Sequence, residues 1–343
     1  MKRTVVALAA LAAISGAAFQ PPAQAPLPNY DRRTRNAAAV PDAIAPEHVV
    51  ALNSLKARVP QLEVKRSKVS GAPNFFSSHA SFLTGPDAQG LAVRPATSAG
   101  FAKSDPHRAV KAFLNEHSAL LGYGPEALNG ARISREYVGA HNGLRTVVWQ
   151  QELNGISVLD AIVIAHVTQR GELVNLYSEL VPDANRAALN GLRGVAPAAA
   201  APALSAAQAI VIGARSVGDE IAVGSLASLG EAQGAARKQS FQGTGALKGE
   251  QSAQLVWLPL NASTMRLCWE VIVSSKARSE MFLVIIDAET GEVVVRRCLT
   301  NYLTNATFNV YTSDSPSPFS PGYQVPGNPV QPAIIARTMV TFP

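Results

Sequence analysis

Residues 149–177 carry a run of strand-forming apolar positions broken by two turn signals. Val147, Val148 and Trp149 lead into Asn154 and Gly155, a pair that favours a two-residue hairpin because both turn positions need positive φ. A long apolar strand follows through Ile162, Val163, Ile164 and Ala165. A second turn falls at Arg170 and Gly171, and residues 173–177 return as a third strand. Upstream the period changes. Val110, Phe113, Leu114, His117 and Leu121 recur at helical spacing and form one apolar stripe. Asp105 suits the N-cap of that helix, Pro106 its first position and Gly122 its left-handed C-cap. Residues 47–58 have moderate helical character. Gly, Pro and Ser punctuate residues 67–100, which predicts mainly loops with one strand at most.

The pattern then repeats. Residues 195–202 are nearly all alanine and proline and read as a link between two units. Ser205 and Gln208 form a capping box ahead of a second apolar helix stripe, Ala209, Ile210, Gly213, Ala214 and Val217. Residues 224–249, rich in Gly, Ala and Ser, predict a mobile insertion. Strands resume at 255–257, 267–273 and 282–286. A turn follows at 287–291, with Gly291 at its positive-φ position, and residues 293–299 close the sheet. Each unit has a late turn ending in Gly-Glu, at 171–172 and 291–292. The reading is α+β, with two helix-on-antiparallel-sheet modules at 61–190 and 204–304 joined by a linker at 191–203. An extended, poorly ordered leader at 26–60 precedes them. A proline-rich linker at 305–343 follows.

The N-terminus sets the expected compartment. Lys2 and Arg3 precede an apolar run at 5–14, and Ala23-Gln24-Ala25 fits a cleavage site, with Ala17 and Ala18 competing. Residues 1–25 therefore read as a secretory signal peptide, and the expected product is secreted, soluble and free of membrane after cleavage. In an oxidising compartment Cys268 and Cys298 can be either a disulfide or two thiols. The net charge of +6 is scattered over clusters at Arg32, Arg33, Arg35 and at Lys65, Arg66, Lys68. Neither cluster is interleaved with aromatics as a nucleic-acid stacking surface would be. The excess fits solubility or an acidic partner surface.

A search for chemistry returns no catalytic, cofactor-binding or metal-binding residue. The six histidines, at 48, 79, 107, 117, 141 and 166, include no pair three to five residues apart, and no H-E-x-x-H occurs. His117 lies on the helix stripe and reads as a core histidine; His166 ends an apolar strand. No G-x-S-x-G elbow and no phosphate-binding glycine loop is present. Asp219 and Glu220 read as solvated charges at a helix end.

Three motifs, in order, carry a resemblance. The helix 109–114 ending in Leu120-Leu121-Gly122, the strand Val148-Trp149-Gln150-Gln151 and the turn-strand Asn154-Gly155-Ile156-Ser157-Val158 resemble the fungalysin/thermolysin propeptide (FTP) domain. Residues 253–260, 267–271 and 287–293 resemble the PepSY-like half of fungalysin pro-regions. The resemblance implies a zymogen pro-region that folds and restrains a zinc metalloprotease. Its partner would be the cognate catalytic domain, in cis or in trans. Zinc, the catalytic glutamate and the ligating histidines would belong to that domain, beyond about residue 310. The chain alone is expected to be inactive. The reading is of a pro-region truncated before its catalytic domain, the alternative being a freestanding exported inhibitor or binding module acting in trans.

Overall fold

The computed structural model describes residues 27–35, 46–140, 142–192, 201–300, 306–310 and 338–342. The signal-peptide stretch 1–25, most of the alanine-proline link and most of the C-terminal linker lie outside the described residues.

The first module is an antiparallel sheet in the spatial order β4-β5-β6-β7-β3-β2. Its strands are β2 (Leu62–Arg66), β3 (Pro73–Ser78), β4 (Ala131–Val138), β5 (Arg145–Leu153), β6 (Ile156–Val167) and β7 (Leu173–Ser178). Alternation decides which side chains turn inward. Val147, Trp149, Val163, Ala165, Leu173 and Leu176 share one face and are buried. The helical stripe covers that face. α2 (Pro46–Arg58), α3 (Pro95–Ala99), α4 (Arg108–Glu116) and α5 (Ser118–Leu121) are the module's helices, and α2, α4 and α5 bring Leu55, Phe113 and Leu120 into the same core. Phe113 meets Phe76 edge-on at 5.3 Å between ring centroids. Gly122 takes φ +82° and closes α5.

α4 starts later than the cap signal implied. It begins at Arg108, and the Asp105 carboxylate accepts from the His107 amide at 2.8 Å and from Lys111 at 2.6 Å. Asp105 thus organises the turn ahead of the helix, and Pro106 lies in that turn.

The second module runs β8 (Ala227–Ser228), β9 (Gln239–Gln242), β10 (Glu250–Asn261), β11 (Thr264–Ser275), β12 (Glu280–Asp287) and β13 (Val293–Cys298). α6 (Ala184–Gly191) and α7 (Ala206–Ser216) supply its helical cover. Ser205 and Gln208 form the reciprocal capping box at the start of α7. The two Gly-Glu turns are built alike. Gly171 and Gly291 both take φ +76°. Thr168 N donates to Glu172 O, and Asp287 N donates to Glu292 O, each at 2.9 Å.

Four features depart from the sequence pattern. Residues 224–249 form the β8–β9 pair rather than a loose insertion, because Phe241 and Leu247 are buried in the second core. Leader residues Tyr30 and Asp31 form β1, paired with β13, followed by the single helical turn α1 (Arg32–Arg35). Asp219 is buried rather than solvated, since Gly218 at φ +96° turns the chain back so that the Asp219 amide reaches Ala214 O. Cys268 on β11 and Cys298 on β13 face Asp287 and Phe282 across the intervening β12. Those two β12 positions are ~17 Å apart along the strand at ~3.4 Å per residue, well beyond the reach of a disulfide. Burial pushes the Cys268 thiol pKa up.

The modules share one sheet. β6 pairs with β10 in parallel where Val158 faces Trp257, so thirteen described strands, β1 to β13, form a continuous surface over two main cores. The described residues up to Leu299 cluster as one compact unit. Residues 300–343 form another, in which β14 (Ala306–Val310) pairs antiparallel with β15 (Thr338–Phe342). No helix among the described residues is long and apolar enough to cross a membrane.

Candidate functional site

The first module buries one face of its sheet under helices and, among the described residues, leaves the other without one. Strand alternation should place polar residues on such a face. Instead a row crosses it from strand to strand: Lys65, Phe75, Tyr177, Ile164 and Val148, ending at Arg135. The four inner side chains are half-buried, and both end cations are exposed. Lys65 lies over the Phe75 ring at 5.0 Å. A contiguous apolar patch of this kind marks a surface that meets something.

The patch deepens into a groove of ≈ 660 Å³. Phe75, Ile162, Ile164 and Tyr177 line it from the first module, Pro259 and Arg297 from the second. Its acids are occupied. Glu179 accepts from Asn74 and from the Tyr177 hydroxyl, both at 2.7 Å, and from Ser67. Burial and the Glu179 contact together push the Tyr177 hydroxyl pKa up. Asp160 accepts from Arg297 at 2.8 and 3.2 Å and from Arg33 at 3.2 Å. Burial raises the Asp160 carboxyl, but the Arg297 hydrogen bond and the charges of Arg297 and Arg33 outweigh it and hold it below the usual carboxylate range. By contrast Arg66, Lys68 and Arg135 have no acidic partner among the described residues. The surplus charge of the face is positive.

Gln150 and Gln151 of β5 build this site through backbone hydrogen bonds. β6 bulges between its pairings with Gln150 and Glu152, and Asp160 within the bulge takes φ +60°. Gln150 fills the gap, donating to Val158 O at 2.7 Å and Ala161 O at 3.2 Å. Gln151 is buried and makes a two-way contact with Val181, accepting from its amide and donating to its carbonyl, both at 2.9 Å. Replacing Gln151 with leucine strands the backbone N–H and C=O of Val181, an expected loss of about 2 kcal/mol. Urea unfolding of the variant measures it; an unchanged midpoint would show that water substitutes freely there.

The histidines are dispersed. His117 is buried, with Nε2 2.9 Å from Ala92 O. His166 meets Asn175 at 2.7 Å, and His107 meets Glu136 at 3.2 Å. His141 lies outside the described residues. Among the described residues no three of His, Cys, Asp and Glu converge as a metal site would require. Sequence reasoning did not anticipate the cluster of Asp31, Arg33, Asp160 and Arg297. The only local hint was the basic run at 32–35, which carries no sign of where its partners lie.

Residues 129–180 match the family model described as the Fungalysin/Thermolysin Propeptide Motif. The matched segment contains β4, β5, β6 and β7, and so most of the uncovered face. A comparison with curated proteins yields no match. Among solved structures the chain is similar to one titled Bacillus megaterium YpeB C-terminal domain, at 11% identity and a TM-score of 0.26, covering 75% of this chain and 99% of that one.

Proposed function

We propose that this chain is the pro-region of a secreted fungalysin-like zinc metalloendopeptidase, serving as its intramolecular inhibitor and folding chaperone. One observation carries the reading: the propeptide motif coincides with the strands that present the uncovered apolar face. The match supports a protease-propeptide role, and the face supplies a surface for it. In this reading zinc and its ligands belong to the catalytic domain, export follows from the signal peptide, and the chain acts by binding.

The groove's surplus cations make the docked surface of the catalytic domain an acidic one with apolar side chains at its centre. Phe75, Ile164 and Tyr177 are the anchors, since buried aromatic and aliphatic side chains dominate such interfaces. Arg66, Lys68 and Arg135 at the rim steer the encounter.

The test is inhibition of a thermolysin-class zinc protease, with peptide cleavage followed while the purified chain is titrated in. The expected result is saturable inhibition, weakened at least about tenfold by Ile164→Asp because a carboxylate would be buried at the contact. Arg66→Glu with Lys68→Glu should chiefly slow association and reduce its salt dependence. Inhibition left intact by Ile164→Asp would remove the face from the mechanism. Casein hydrolysis by the chain itself, abolished by a chelator, would overturn the reading altogether.

A further inference from the structure

One end of the groove is walled by a piece of chain that belongs to neither module's core sequence. Residues 27–35 run along the outer edge of β13. Arg296 donates to Pro28 O at 3.2 Å, the Cys298 amide donates to Asn29 Oδ1 at 2.8 Å, and Arg32 pairs with Glu292. Within it lies Arg33, whose side chain is only 3% exposed. Its guanidinium donates to Asp31 at 2.8 and 3.0 Å, to Asp160 at 3.2 Å and to Pro259 O at 3.4 Å.

Those contacts fall on the junction of the modules. Asp160 lies in β6 just beyond Val158, where β6 meets β10, and Pro259 lies two residues past Trp257 on β10. Arg297 of β13 grips the same Asp160 carboxylate from the second module. Asp160 holds a positive φ in mid-strand, a conformation aspartate tolerates better than most residues but one that still costs energy, which its fixed surroundings here offset. The side chain that walls the groove is thus also one of two that fix the bend of the strand joining the two halves.

We infer that residues 27–35 are a strap that sets the opening of the groove. Docked, the strap fixes the two halves of the sheet through Asp160 and Pro259 and closes one end of the groove. Detached, it leaves Asp160 to Arg297 alone, and the β6–β10 junction loosens. With signal cleavage after Ala25 the strap is the N-terminal end of the exported chain, placed where proteolysis or a partner could lift it. Its regulatory meaning rests on the groove being the protease-docking face; its mechanical action does not.

The test compares four proteins: the chain from Pro26, the chain from Asn36, and the chain from Pro26 carrying Arg33→Ala or Arg33→Lys. Hydrogen exchange is read by peptide, and inhibition of the thermolysin-class protease is read in parallel. Removing the strap should speed exchange at least about tenfold in residues 157–162 and 256–260 while β7 and α4 keep their protection. Arg33→Ala should reproduce most of that effect, and Arg33→Lys less of it. Unchanged exchange at the junction, or an equal loss throughout the sheet, would overturn the strap. If the exchange responds while none of the proteins inhibits, the mechanical device stands and the pro-region reading falls.

Discussion

Trp257→Ala is expected to be the most destabilising single substitution in the molecule, lowering unfolding free energy by about 3–5 kcal/mol. Trp257 is fully buried, and its indole Nε1 donates to Leu153 O at 3.3 Å across the module boundary. It also faces Val158 at the parallel contact that joins β10 to β6. Truncation therefore opens a large cavity, leaves the Leu153 carbonyl without its donor and removes the packing that makes one sheet of two. For a domain whose total stability is about 5–15 kcal/mol, a loss of that size brings part of the population to the unfolded state. Urea titration followed by far-UV circular dichroism measures it. The variant should also separate one transition into two, as the first core, centred on Phe76 and Phe113, retains its contacts. Trp257→Phe keeps most of the volume and should recover more than half of the loss. A drop below about 1 kcal/mol for the alanine variant would mean that the site collapses onto itself and that the junction is held elsewhere.

What could be read from the chain depends on whether the signal was local. The Asn154–Gly155 turn has φ values of +53° and +74°, as its residue pair requires. The capping box at Ser205, the left-handed cap at Gly122 and the Gly-Glu turns follow from residues that touch their own neighbours. The stripe through His117 predicted burial correctly but one continuous helix wrongly: His117 is buried at a non-helical break between α4 and α5, and Leu121 belongs to α5. The β6–β10 contact has no such signal. A parallel pairing about a hundred residues apart is decided by where the two cores settle, and Val158 and Trp257 look like ordinary core residues in isolation. The same holds for the strap. Arg33 is one of several arginines in an alanine-proline leader, and its value comes from Asp160 and Pro259, which only the folded topology brings near. The insertion at 224–249 misled through composition. Phe241 and Leu247, with Leu226 packed against the same core, pin a segment otherwise rich in Gly, Ala and Ser.

The second large effect is a loss of stability on mild acidification, between pH 6.5 and about 4, traceable to His117. Its side chain is 5% exposed, sits 4.5 Å from the Phe113 ring and donates from Nε2 to Ala92 O. Burial pushes the imidazole from 6.5 to about 4; the Ala92 hydrogen bond and Glu116 oppose the shift, and Arg58 and Arg94 add to it. The unfolded chain takes up a proton near pH 6.5, while the folded chain refuses it until about pH 4. In that window the unfolded state binds more protons, so stability falls as pH falls, by about 1.4 kcal/mol per unit and about 3 kcal/mol in total. Glu116 acts in a lower window. Burial raises its carboxyl, but hydrogen bonds from Thr97, Arg58 and Arg94 leave it below the ordinary value, so its contribution disappears only as pH drops through the carboxylate range. The two are separable by His117→Gln, which keeps a donor for the Ala92 carbonyl and has no proton to gain. Unfolding free energies measured from pH 7 to pH 5, above the carboxylate range, should slope in the native chain and run nearly flat in the variant over this interval. An unchanged slope in His117→Gln, or a folded-state imidazole that titrates near 6.5 by NMR, would place the acid sensitivity in other groups.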